Sequence, residues 1–106
     1  MSAWVNVAAE GELPAGAFRN VEVDGAEVAV FNVGGRYYAI ENVCTHDGGT
    51  LTGGTVEGDQ VICPRHGARF SIITGDALSP PAYEAVARFP VRVEDGMIQV
   101  RDERWG

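Results

Sequence analysis

Glycine and proline divide this chain into pieces too short for anything but strands. Fourteen glycines and five prolines fall among 106 residues, so turn formers recur at intervals of about 8–12 residues along much of the sequence. Between them lie short stretches rich in Val, Ile, Phe and Tyr, at residues 4–7, 18–23, 27–33, 37–40, 60–63, 70–73, 86–93 and 97–101. Asp24-Gly25, Gly34-Gly35 and Asp95-Gly96 separate neighbouring stretches, and Gly58-Asp59 precedes Gln60. Such pairs adopt the positive φ angles that two-residue hairpins require. The first hairpin sets Val21 and Val23 against Asn20 and Glu22. The last sets Val91, Val93, Ile98 and Val100 against Arg92, Glu94, Gln99 and Arg101. Alternation of this kind predicts antiparallel sheets with one buried and one wet face. No stretch of 12 residues has a sustained helical period; a helical turn within residues 83–87 is the weak exception. The expected class is all-β, in a single domain spanning residues 1–106.

Size and charge narrow the function. A chain of this length buries roughly two thirds of its unfolded surface, enough for a modest core. Eight basic and 15 acidic residues leave a net charge of −7. That disfavours nucleic acid and anionic membranes, which select basic patches. No apolar run reaches transmembrane length. Met1-Ser2-Ala3-Trp4-Val5-Asn6 has neither the basic region nor the apolar stretch of a signal peptide. The expectation is a cytoplasmic protein, and in that compartment two cysteines read as metal ligands or reactive thiols rather than a disulfide.

The chain has two cysteines and two histidines, and they fall in two short motifs. Cys44-Thr45-His46 is followed by Asp47-Gly48-Gly49; Cys63-Pro64-Arg65-His66 is followed by Gly67, with 16 residues between His46 and Cys63. The first motif opens the one region that lacks alternation, residues 41–58, and long loops in compact domains tend to be functional. Gly48, Gly49 and Gly67 suit tight folding around a bound group. Thiolate and imidazole suit zinc, copper and iron–sulfur centres. A structural zinc site remains an alternative, but it commonly pairs two cysteines in one knuckle and two histidines on a helix. Two mixed loops instead match a [2Fe–2S] cluster with two cysteines on one iron and two histidines on the other. Oxidised, such a cluster sums to roughly zero charge, against about −2 for an all-cysteine one, and it accepts an electron more readily.

Cys-x-His, 16 residues, Cys-x-x-His resembles the Rieske signature. The flanking glycines and β-rich segments extend the resemblance over essentially the whole chain. It implies a base domain of antiparallel sheets carrying a small cluster-binding subdomain at about residues 42–73. It also implies that Cys44 and Cys63 hold the inner iron, that His46 and His66 hold the outer iron, and that Ser79-Pro80-Pro81-Ala82 forms a loop over the cluster.

The departures from the family's respiratory members carry information. Those proteins have a further cysteine in each loop, forming a disulfide; Gly49 and Arg65 stand at the matching positions. They also place serine and tyrosine hydroxyls against the cluster-side sulfurs, where this chain has Ala68 and Phe70. Hydrogen bonds to sulfur stabilise the reduced cluster, so their loss implies the low end of the Rieske range, roughly −150 mV. The resemblance points to the soluble ferredoxins of bacterial multicomponent oxygenases. These are not enzymes themselves, but carry single electrons from a flavin-dependent reductase to a terminal oxygenase, most simply as monomers. The alternative is a small Rieske subunit of a nitrite reductase or another oxidoreductase complex. Histidine counting disfavours an oxygenase with a mononuclear iron site, which needs two further histidines and a carboxylate. Arg65, Arg69 and Asp47 are candidates for partner contacts or plain solvated charges. Tyr37 and Tyr38 read as strand residues with one ring in the core, and Trp4 and Trp105 as packing residues.

Overall fold

The computed structural model describes residues 3–45, 48–65 and 67–103. The strands are β1 (Val5–Ala9), β2 (Phe18–Val23), β3 (Ala26–Val33), β4 (Arg36–Glu41), β5 (Val56–Glu57), β6 (Gln60–Ile62), β7 (Arg69–Ser71), β8 (Arg88–Phe89), β9 (Val91–Glu94) and β10 (Met97–Val100). They form three antiparallel sheets, ordered β1-β10-β9, β2-β3-β4-β8 and β5-β6-β7. The fold is all-β, with a single 3-10 turn at Glu10–Glu12 among the described residues. That turn replaces the one expected within residues 83–87, which are irregular.

The turn pairs do what their chemistry demands. Val23 pairs with Ala26 across Asp24 (φ 48°) and Gly25 (φ 80°), and Val33 pairs with Arg36 across Gly34 (φ 61°) and Gly35 (φ 94°). Glu94 pairs with Met97 across Asp95 (φ 52°) and Gly96 (φ 78°). Positive φ at both central residues matches the right-handed twist of the flanking strands.

The four-stranded sheet has two cores, one against each face. Along β3, Val28 and Val30 join one apolar cluster while Ala29 and Phe31 join the other. On β4, Ala39 and Ile40 divide in the same way. The first core is completed by Ile98 and Val100 of the β1-β10-β9 sheet, the second by Val61 and Phe70 of the β5-β6-β7 sheet. Val28 to Asn32 of β3 are all buried, so this stretch is covered on both faces; on β2 the alternation read from the sequence holds, with Val21 half-buried and Val23 buried while Asn20 and Glu22 are exposed. A continuous apolar run marks a strand covered on both sides. The two tyrosines separate likewise, Tyr37 against one core and Tyr38 against the other, and both are only half-buried.

The strands also differ from the sequence reading. The long strand expected over residues 86–93 is interrupted at Pro90, which lacks a ladder donor, giving β8 and β9 in different sheets. Val93 lies on the edge strand β9 and is 40% exposed despite its alternating position. The two-residue β5 went unforeseen because two residues carry no periodicity.

Candidate metal centre

Cys44 follows β4, and Cys63 connects β6 to β7. Both side chains are buried, at 0% and 1% exposure, in the core shared with Phe31, Leu51, Phe70 and Ile72. Neither forms a disulfide.

The two cysteines begin turns of the same design. The Cys44 N–H donates to the Gly49 carbonyl at 2.7 Å, and the Cys44 carbonyl accepts from the Gly48 N–H at 2.7 Å. In the second turn the Cys63 N–H donates to the Ala68 carbonyl at 2.8 Å, and the Cys63 carbonyl accepts from the Gly67 N–H at 3.0 Å. Gly48 and Gly67 hold φ of 76° and 74°, where a Cβ is strained. Gly49 leaves room for the Arg65 guanidinium: a Cβ there would lie 2.4 Å from the Arg65 Cζ. Arg65 reaches across from the second turn to the first, donating from Nη2 to the Thr50 carbonyl at 3.1 Å and to the Cys63 Sγ at 3.4 Å.

Asn42 anchors the first turn, a role that no sequence signal marked. It is 4% exposed. Its Oδ1 accepts from the backbone N–H groups of Leu51 (2.8 Å) and Thr52 (2.9 Å), and its Nδ2 donates to Thr52 Oγ1 (2.8 Å) and to Glu27 Oε2. One amide thus ties the chain before Cys44 to the chain after it and to β3. Gly54 passes so close to β6 that a Cβ would lie 1.9 Å from the Ile62 carbonyl oxygen. The proline segment is held from the first turn and from β7. Thr45 Oγ1 donates to the Glu84 carbonyl at 2.7 Å, and the Arg69 N–H donates to Ser79 Oγ at 3.0 Å. The Pro80–Pro81 bond is cis. On this segment Leu78 (47%) and Tyr83 (82%) are exposed.

The expected site residues divide into those the structure brings together and those beyond it. Cys44 and Cys63 meet in one core. His46 and His66 lie outside the described residues, as do Asp47 and Trp105. Arg69 pairs with Glu57 at 2.9 Å on the small sheet. Trp4 lies beneath the guanidinium groups of Arg92 and Arg101, 4.4 and 4.9 Å from the ring centroid. Ala68 and Phe70 are fully buried beside the cysteines, with no hydroxyl on either.

Two buried thiols, each opening a tight glycine-supported turn, fit an iron–sulfur centre. A lone thiolate is expensive to bury, whereas metal binding removes the thiol proton and balances the charge.

The Rieske [2Fe-2S] domain model matches residues 3–90, and the chain belongs to that family. Its cofactor is accordingly a Rieske-type [2Fe–2S] cluster. Over 100 residues the chain is 34% identical to the ferredoxin component of naphthalene 1,2-dioxygenase/salicylate 5-hydroxylase systems from Ralstonia sp., covering 94% of this chain and 96% of that one. The solved ferredoxin of carbazole 1,9a-dioxygenase from Nocardioides aromaticivorans IC177 superposes with a TM-score of 0.89 at 32% identity, over 95% of this chain and 99% of the other. A ferredoxin-like chain in a complex of reduced oxygenase and oxidised ferredoxin in carbazole 1,9a-dioxygenase matches with a TM-score of 0.87 at 37% identity, over 92% of each chain.

Proposed function

We propose that this chain is a ferredoxin that carries single electrons from a flavin-dependent reductase to the terminal oxygenase of a multicomponent system, with no catalytic site of its own. The observation that carries this is the pair of buried cysteines on two matching turns, in a chain whose remaining structure is scaffold. Likeness to stand-alone ferredoxin components over nearly their whole length favours a carrier over a subunit of nitrite reductase. The chain acts as one domain over residues 1–106, with residues 42–73 as its cluster-binding part. Cys44 and Cys63 hold one iron; His46 and His66 hold the other. When bound, the cluster supplies reversible one-electron chemistry.

The protein's part is placement and environment. Burial of both cysteines keeps water from the thiolate side. Ala68 and Phe70 offer the sulfurs no hydroxyl donor, which keeps the potential toward the low end of the Rieske range. Leu78 and Tyr83 give the oxygenase an apolar contact on the segment tied to Thr45 and Arg69. No described helix is long and apolar enough to cross a membrane. We place the protein in the cytoplasm, as a monomer free to exchange partners.

The test is an EPR spectrum of the dithionite-reduced protein, with iron, sulfide and zinc measured on the same sample. The expected result is a rhombic signal with about two irons and two sulfides per chain. A colourless, EPR-silent protein with stoichiometric zinc would overturn the reading.

A further inference from the structure

We infer that Arg65 is a redox-positioning residue, whose guanidinium raises the affinity of the centre for an electron by donating to the Cys63 sulfur. The inference rests on the ferredoxin reading above and goes beyond it. Two observations support it independently. Arg65 Nη2 lies 3.4 Å from Cys63 Sγ and 3.1 Å from the Thr50 carbonyl, so one guanidinium nitrogen is held by two acceptors. The floor beneath it is Gly49: a Cβ there would meet Cζ at 2.4 Å, Nη2 at 2.5 Å and Nε at 2.9 Å. The guanidinium can occupy this place only because position 49 lacks a side chain.

The sign of the effect follows from charge. Uptake of an electron makes the centre and its thiolate ligands more negative. A fixed cation donating to one of those sulfurs stabilises the reduced state more than the oxidised one. Arginine keeps its charge at every accessible pH. Because Arg65 is exposed, salt screens its longer-range field, and the direct N–H···S contact carries most of the effect. In a pocket whose neighbours Ala68 and Phe70 carry no hydroxyl, this contact is a polar lever on the Cys63 sulfur. The same nitrogen straps the second turn to the first through Thr50.

The experiment is a midpoint-potential titration, followed by EPR, of purified holoprotein and three variants at equal iron content. Arg65→Met keeps an unbranched apolar stem and removes the charge and the donors. Its affinity for the electron is expected to fall by about tenfold, roughly 59 mV lower for one electron. Arg65→Lys keeps the charge and loses the fork, so its potential should fall between the two. Gly49→Ala keeps Arg65 and displaces its guanidinium, and its potential should also fall. Should Arg65→Met fail to load iron, Arg65→Lys and Gly49→Ala decide. Loaded variants that all retain the wild-type potential would overturn the inference and leave Arg65 a structural strap. A wild-type protein without a two-iron cluster would instead sink the ferredoxin reading beneath it.

Discussion

The core around Ile98 and the core around Phe70 lie on opposite faces of the same sheet, yet different parts of the chain build them. Among the described residues, eight of the nine buried members of the Ile98 core sit in strands, Leu13 being the exception. In the Phe70 core, seven of twelve lie outside strands: Cys44, Leu51, Cys63, Ala68, Ile72, Ala82 and Val86. Strands place side chains by alternation, which costs no special contacts. Loops must be held in place by other means, and here these are Asn42, Arg65, Thr45 and close-packed glycines. The first core serves as foundation. The second gives up regularity and holds both cysteines in one core.

The largest effect expected from this division is at the ligands. Cys63→Ser should abolish iron and sulfide binding while leaving the β1-β10-β9 sheet and its core folded. Iron analysis and far-UV circular dichroism measured together check this, and loss of all structure would mean that the two cores stand or fall together. Next is Ile98→Ala, which should cost about 2–5 kcal/mol in urea unfolding through the cavity it leaves, with the iron content of the folded protein unchanged. Asn42→Ala orphans the buried Leu51 N–H and frees the first turn. About 1–3 kcal/mol is expected, and, unlike Ile98→Ala, this variant should also lose its cluster faster, as followed by visible absorbance. Equal bleaching rates in the two variants would erase the distinction between the cores. The smallest effect is Ala68→Ser. A new donor to sulfur worth about 1 kcal/mol in the reduced state raises the potential by roughly 40 mV. An unchanged potential would show that position 68 does not face the sulfur.

The foundation was largely legible in the sequence. Asp24-Gly25, Gly34-Gly35 and Asp95-Gly96 mark their hairpins because few other residues accept positive φ. The second core was legible only at its chemistry: Cys44 and Cys63 stood out by type and spacing, whereas Asn42 did not. A buried asparagine that bonds to residues 9, 10 and 15 positions away has no local signature. Arg65 was visible as a charge beside a ligand, but its contact with Gly49 was not.

The sequence by itself determined the hairpins, the all-β class and the two Cys/His motifs that we propose hold the cluster, because turn chemistry and ligand chemistry are local properties. Only the tertiary structure decided that β3 is covered on both faces, that Pro90 sends β8 and β9 to different sheets, and that Arg65 lies against Gly49 and the Cys63 sulfur. Those outcomes depend on which segments, distant along the chain, come to share the same space. Packing settles that, and no window of neighbouring residues contains it.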